Sequence, residues 1–180
     1  MHDNSMTIMK KFVEEYDVSE STIVDVGSLD INGCYRGFFT GKYTGVDIVP
    51  GLNVDVLMDS DEWEKIKDAD VVISGQTIEH VADIPKFMAS IFAVLKPGGF
   101  LCMIAPSQGE RHDYPIWVGN FSVERMTEAV ENVGFEIISC TLSDVPPFYD
   151  NCCVARKPEP VAIKTPAKLP AKRKDDDENQ

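Results

Sequence analysis

The run Thr22-Ile23-Val24-Asp25-Val26-Gly27-Ser28-Leu29-Asp30-Ile31-Asn32-Gly33 constrains the fold more than any other part of the chain. Its first half is β-branched and apolar, which suits a buried strand. The strand stops at Gly27, and a glycine there lets backbone approach a ligand with no Cβ in the way. A second short strand, Tyr43-Thr44-Gly45-Val46-Asp47, ends in an acid twenty residues past Gly27. A glycine turn followed by an acid at that distance is how α/β nucleotide folds hold a ribose. An ionised carboxylate can only accept hydrogen bonds, and two sugar hydroxyls can supply them.

The turn departs from the dinucleotide form G-x-G-x-x-G. Leu29 stands where the middle glycine would admit a pyrophosphate, and Gly33 comes late. A nucleoside without phosphates does not need that approach. Taken alone, the glycine turn is equally compatible with a structural βα turn that binds nothing.

Reading along the chain, residues 5–16 have helical apolar spacing with Ser5 as a cap, and residues 34–39 suit a short helix. Residues 54–57 form a third strand, 61–67 a short polar helix and 70–74 a fourth strand, apolar on both faces. Residues 83–95 carry one continuous apolar stripe, capped by Asp83, with Pro85 in the first turn and Lys96-Pro97-Gly98-Gly99 as the stop. A fifth strand spans 100–105, and an amphipathic helix spans 121–133. Two last strands, 135–142 and 152–156, are joined without a helix. Strands alternating with helices give a mostly parallel sheet covered on both faces. The last connection is too short for a crossover, so one strand in the edge region runs against the rest.

The 180 residues support one sizeable core, assigned to residues 1–158. Residues 159–180 are rich in Pro, Ala and Lys and end in acids, a composition expected to stay disordered as a charged tail. That tail has five basic and five acidic residues, so the whole net charge of −13 belongs to residues 1–158. Such a domain repels a phosphate backbone, which argues against nucleic acid and suits a neutral or cationic small ligand. The five cysteines are an odd set without C-x-x-C and read as reduced thiols of a cytoplasmic protein. Three scattered histidines suggest no metal site. No apolar run spans a bilayer, and residues 1–4 lack the features of a signal peptide.

Five stretches in order resemble a class I S-adenosylmethionine-dependent methyltransferase, of the type-11-like group, over residues 20–157. They are Ile23-Val24-Asp25-Val26-Gly27; Gly45-Val46-Asp47; Asp70-Val71-Val72-Ile73-Ser74; Ile78-Glu79-His80; and Val94-Leu95-Lys96-Pro97-Gly98-Gly99-Phe100-Leu101, the most specific. The resemblance implies a Rossmann-like, doubly wound, seven-stranded sheet and S-adenosyl-L-methionine as cofactor. A subset of the family carries a similar D-V-G-S-x-D-x-N-G run. It also carries a segment like Pro106-Ser107-Gln108-Gly109-Glu110-Arg111-His112-Asp113-Tyr114-Pro115, though its Trp-Arg pair is replaced here by Gly119-Asn120.

By that resemblance Gly27 and Ser28 approach the methionine portion, Asp47 takes the ribose hydroxyls and Ile48 lies against the adenine. Asp59 and Ser60 meet the adenine amino group, and Gln76 faces the cofactor by its backbone. Asp25 belongs to this set either by touching the cofactor or by orienting the turn. His80, beside Glu79, reads as a structural anchor. His112, in the same loop as aromatic Tyr114 and Trp117, is the candidate general base for a hydroxyl acceptor, or else a surface histidine. The implied activity is methylation of a small molecule or glycan precursor. The alternatives are a cofactor-binding protein without methyl transfer and, less well supported, an NAD-binding oxidoreductase. The sequence lacks the N/D-P-P-Y/F signature of amino-methylating DNA enzymes.

Overall fold

The computed structural model describes residues 3–59, 63–111, 116–143 and 149–160. Seven strands form one sheet: β1 (Ile23–Val26), β2 (Tyr43–Asp47), β3 (Val56–Leu57), β4 (Ala69–Gly75), β5 (Leu95–Gln108), β6 (Glu136–Leu142) and β7 (Tyr149–Arg156). Their order is β3-β2-β1-β4-β5-β7-β6. β7 is antiparallel to both neighbours and all other pairs are parallel. The reversed strand therefore lies one place in from the edge, and β6 takes the edge itself.

Alternate residues of each strand feed opposite faces. Val24, Val72, Leu101 and Met103 pack with Met88 and Ile91 of helix α2 (Ile84–Val94) and Met126 and Val130 of α3 (Val123–Glu131). Ile23, Val71, Ile73 and Ile104 pack with Met9, Phe12 and Val13 of α1 (Asp3–Tyr16). The caps are local. The Asp83 carboxylate accepts from the Lys86 N–H at 3.0 Å, and the Ser122 hydroxyl accepts from the Arg125 N–H at 3.2 Å.

Several elements differ from the sequence reading. α1 begins at Asp3, which places Ser5 inside the first turn, fully buried, and not at the cap. The expected helix at 34–39 is only a 3₁₀ turn, Arg36–Phe38. Tyr35 and Phe39 are drawn into the α1-side core, and Arg36 is held by Asn53 and Asp55. Of the polar helix expected at 61–67, residues 61–62 lie outside the described residues, and the described part holds a 3₁₀ turn, Trp63–Lys65. β5 begins at Leu95, directly after α2. Ala69 pairs with Leu95 and Val71 with Phe100, so residues 96–99 bulge out of the pairing. Gly98 there has φ +74° and donates its N–H to the Lys157 carbonyl at 2.8 Å. No described helix is long and apolar enough to cross a membrane.

Candidate functional site

From β1 the chain passes outward to β2 and β3, then returns to β4 on the other side of β1. Neighbouring connections thus diverge between β1 and β4, and a crevice opens at their carboxyl ends, the usual place for a ligand in an open α/β sheet. A cleft of about 470 Å³ lies there. Gly27, Leu29, Ile31 and Gly33 of the glycine turn line it, with Asp47, Ile48 and Val49 after β2 and Gly75, Gln76, Thr77 and His80 after β4. Met58, Val81 and Phe87 complete an apolar wall. An adjoining cleft shares Ile48, Met58, Val81 and Phe87 and runs to Asp59, Trp63 and Asp83.

Four of the residues singled out by sequence converge on the main cleft: Gly27, Asp47, Ile48 and Gln76. Asp47 is oriented by the glycine turn and by its own turn. One oxygen accepts from the Leu29 N–H and the other from the Val49 N–H, both at 3.1 Å. A carboxylate has about four lone-pair positions, so each oxygen keeps capacity for a further donor. Gly27 has φ +81°, and a Cβ on it would lie 2.0 Å from Thr77 Oγ1. The protein's own packing therefore demands glycine at this position. Asp59 lies in the adjoining cleft.

Two of the residues point elsewhere. Ser28 is buried, and its hydroxyl donates to the Asn53 carbonyl at 3.0 Å, while Asn53 Nδ2 returns a bond to the Ser28 carbonyl at 2.8 Å. Its side chain ties the glycine turn to the loop before β3. Asp25 is 1% exposed and is not among the cleft-lining residues; Tyr43 donates its hydroxyl to it. Burial pushes the Asp25 carboxyl up to about 7 against that hydrogen bond and the nearby Arg36. Arg36 lies over the Tyr43 ring at 4.5 Å, bonds Asn53 Oδ1 at 2.6 Å and pairs with Asp55 at 2.6 Å. Asp25 thus belongs to a polar network beneath the turn. Ser60, His112 and Tyr114 lie outside the described residues.

The sequence reading missed Thr77 and favoured a structural role for His80. His80 closes a 3₁₀ turn, Ile78–His80, that follows β4 at once and so projects into the cleft. Its Nδ1 donates to the Ile116 carbonyl at 2.5 Å, which fixes the tautomer, and its ring lies 5.9 Å from Trp117. Glu79 beside it is 1% exposed, and burial pushes its carboxyl up to about 8, with Asp150 adding to the effect. Gln76 has φ +57°, a left-handed backbone uncommon for a side chain of its size. Among the described residues no group of His, Cys, Asp and Glu is placed to hold a metal ion.

Residues 11–140 match the methyltransferase domain family. The chain therefore belongs to that family, in the class I S-adenosylmethionine-dependent type that the fold and cleft define. A curated relative from Mycolicibacterium smegmatis, a probable S-adenosylmethionine-dependent methyltransferase, is 32% identical over 74 residues, 38% of this chain. The match spans under a third, 29%, of that relative's length. The fold is similar to that of a Burkholderia thailandensis 1,6-didemethyltoxoflavin-N1-methyltransferase solved with S-adenosylhomocysteine. Its TM-score is 0.69 at 15% identity, covering 86% of this chain and 79% of that one. A Methanosarcina mazei S-adenosylmethionine-dependent methyltransferase gives 0.60 at 16% identity, covering 83% and 98%. The [4+2]-cyclase SpnF gives 0.61 at 14% identity, covering 85% and 82%.

Proposed function

We propose that the chain binds S-adenosylmethionine in the 470 Å³ cleft and transfers its methyl group to a small molecule or glycan precursor. The observation that carries this reading is Asp47, held by two backbone N–H groups on the wall of a crevice at the switch point of the sheet. The donor set suits such a cofactor. Asp47 accepts from the two ribose hydroxyls, and Ile48, Met58 and Phe87 offer an apolar slot for the adenine. Asp59 takes the adenine amino group from the adjoining side, and the family resemblance gives Ser60 a share in that role. Gly27 brings backbone close to the amino-acid portion, and Gln76 faces that portion across the cleft. Ser28 and Asp25 act on the cofactor only through the turn they brace.

When bound, the cofactor supplies a sulfonium methyl that is already an activated electrophile. The protein's part is to align an acceptor with it and to exclude water. For a hydroxyl acceptor His112, four residues past the end of β5 in the sequence, takes the proton. The surplus of acids outside the tail favours a neutral or cationic acceptor.

The second reading is cofactor binding without transfer, since a cyclase shares this fold. An NAD-linked oxidoreductase is disfavoured by Leu29 in the turn. Calorimetry with S-adenosylmethionine, S-adenosylhomocysteine and NAD separates the cofactor classes. Binding of the first two and not the third is expected, and tight binding of NAD alone overturns the proposal.

A further inference from the structure

Asp150, near the start of β7, is 1% exposed and lies 74 residues in sequence from Gln76 of the cleft wall. Two amide groups converge on it. Gln76 Nε2 donates to Oδ1 at 2.9 Å, and Asn4 Nδ2, from the first turn of α1, donates to Oδ2 at 2.9 Å. The Ser143 hydroxyl in turn donates to Asn4 Oδ1 at 3.1 Å. The direction of every bond in this chain is settled by chemistry. A carboxylate only accepts, so both amides must turn their NH₂ ends toward it. For Gln76, a residue of the cleft wall, this directs its carbonyl Oε1 away from Asp150.

We propose that Asp150 is a positioning residue that fixes Gln76 as a hydrogen-bond acceptor in the cleft, so that Gln76 Oε1 selects a ligand group that donates, such as a protonated amine. In the cofactor reading, on which this inference rests, that group is the ammonium of the amino-acid portion. Two further observations agree. Among the described residues the lining of the main cleft includes no lysine or arginine, so no side-chain cation of those two types competes there for the acceptor. Gln76 is also held at φ +57° with its N–H on the Ile104 carbonyl at 2.8 Å, so backbone and side chain are both fixed before a ligand arrives. If Asp150 becomes an amide, it can donate as well as accept, and the Gln76 amide is free to reverse. An NH₂ group would then confront the ligand's ammonium.

The test compares two probes by calorimetry on the full chain. S-adenosylhomocysteine carries the ammonium, and methylthioadenosine lacks the whole amino-acid portion but keeps the nucleoside. Wild type should favour S-adenosylhomocysteine. Asp150→Asn should weaken it roughly ten- to a hundredfold, the range for a hydrogen bond to a charged group, and leave methylthioadenosine unchanged. Gln76→Leu, which removes the acceptor oxygen, should lose the same preference and serves if Asp150→Asn does not fold. A preference preserved in either folded variant overturns the proposal, as does an equal loss for both probes, which marks a merely structural role. Wild type that binds neither probe removes the cofactor reading, and this inference with it.

Discussion

Gly27→Ala probes the turn on which the whole cleft depends. At φ +81° an L-residue incurs about 1–2 kcal/mol from its Cβ crowding the backbone. The added Cβ would also meet Thr77 at 2.0 Å from Oγ1, 2.5 Å from Cγ2 and 2.7 Å from Cβ. Thr77 cannot simply retreat, because its hydroxyl bonds the Gly75 carbonyl at 3.2 Å and its backbone opens the 3₁₀ turn after β4. Overpacking of this kind costs about 1–3 kcal/mol. The two contributions together give a loss of about 2–5 kcal/mol, a large part of an ordinary domain's stability. Urea denaturation of Gly27→Ala, Thr77→Gly and the double variant separates them. Thr77→Gly deletes all three clashing atoms, so the double variant should recover about 1–3 kcal/mol relative to additivity while the backbone cost remains. Additivity within about 0.5 kcal/mol would refute the clash, and an undiminished midpoint for Gly27→Ala alone would refute the turn geometry.

Stability should fall as pH rises through the near-neutral range. Asp25 and Glu79 have folded pKa values of about 7 and about 8, above ordinary values of 3.8 and 4.5. The folded state therefore keeps protons that the unfolded chain has released between those limits, and each group lowers stability by at most about 1.4 kcal/mol per pH unit there. Denaturant midpoints measured from pH 4.5 to 8 should decline, and Asp25→Asn and Glu79→Gln should each flatten the decline; an unchanged slope in both variants counts against the burial argument. A chain ending at Lys157 should keep its thermal midpoint, because the composition of residues 159–180 cannot offset ordering entropy; a drop of several degrees would mean that the tail docks. His112→Ala, measured by single-turnover transfer to a hydroxyl acceptor, should slow the reaction about a hundredfold or more with cofactor affinity intact; a normal rate removes the base role.

The parts of this structure visible in the sequence are those with local causes. α2 announces itself by apolar spacing and by Asp83 at its cap, and α3 by its amphipathic pattern. The hairpin of β6 and β7 follows from a connection too short for a crossover. Asp47 and Gln76 line the cleft because the carboxyl ends of the strands in this fold open onto the crevice. What was missed depends on partners far along the chain. Ser28 looked available to a ligand, but its hydroxyl is taken by Asn53, twenty-five residues away. The glycine at position 27 was read as making room for a ligand, and Thr77 shows that it also makes room for the protein. The aromatic segment 34–39 reads as a short helix, yet Tyr35 and Phe39 are both buried in the α1-side core, with Arg36 drawn to Asn53 and Asp55. Asp150 carries no local signal, because its importance lies in two amides 74 and 146 residues distant.

The central claim is that Asp47 holds the ribose of S-adenosylmethionine, and cofactor affinity in Asp47→Ala and Asp47→Asn tests it most directly. Asp47→Ala removes two charge-assisted hydrogen bonds, about 2–4 kcal/mol, or roughly thirty- to a thousandfold in dissociation constant. Asp47→Asn keeps one accepting oxygen and should fall between that variant and wild type. Calorimetric titration of S-adenosylhomocysteine into the three proteins, with their folds checked by circular dichroism, should give that order of affinity. Equal affinity in wild type and a folded Asp47→Ala would contradict the account.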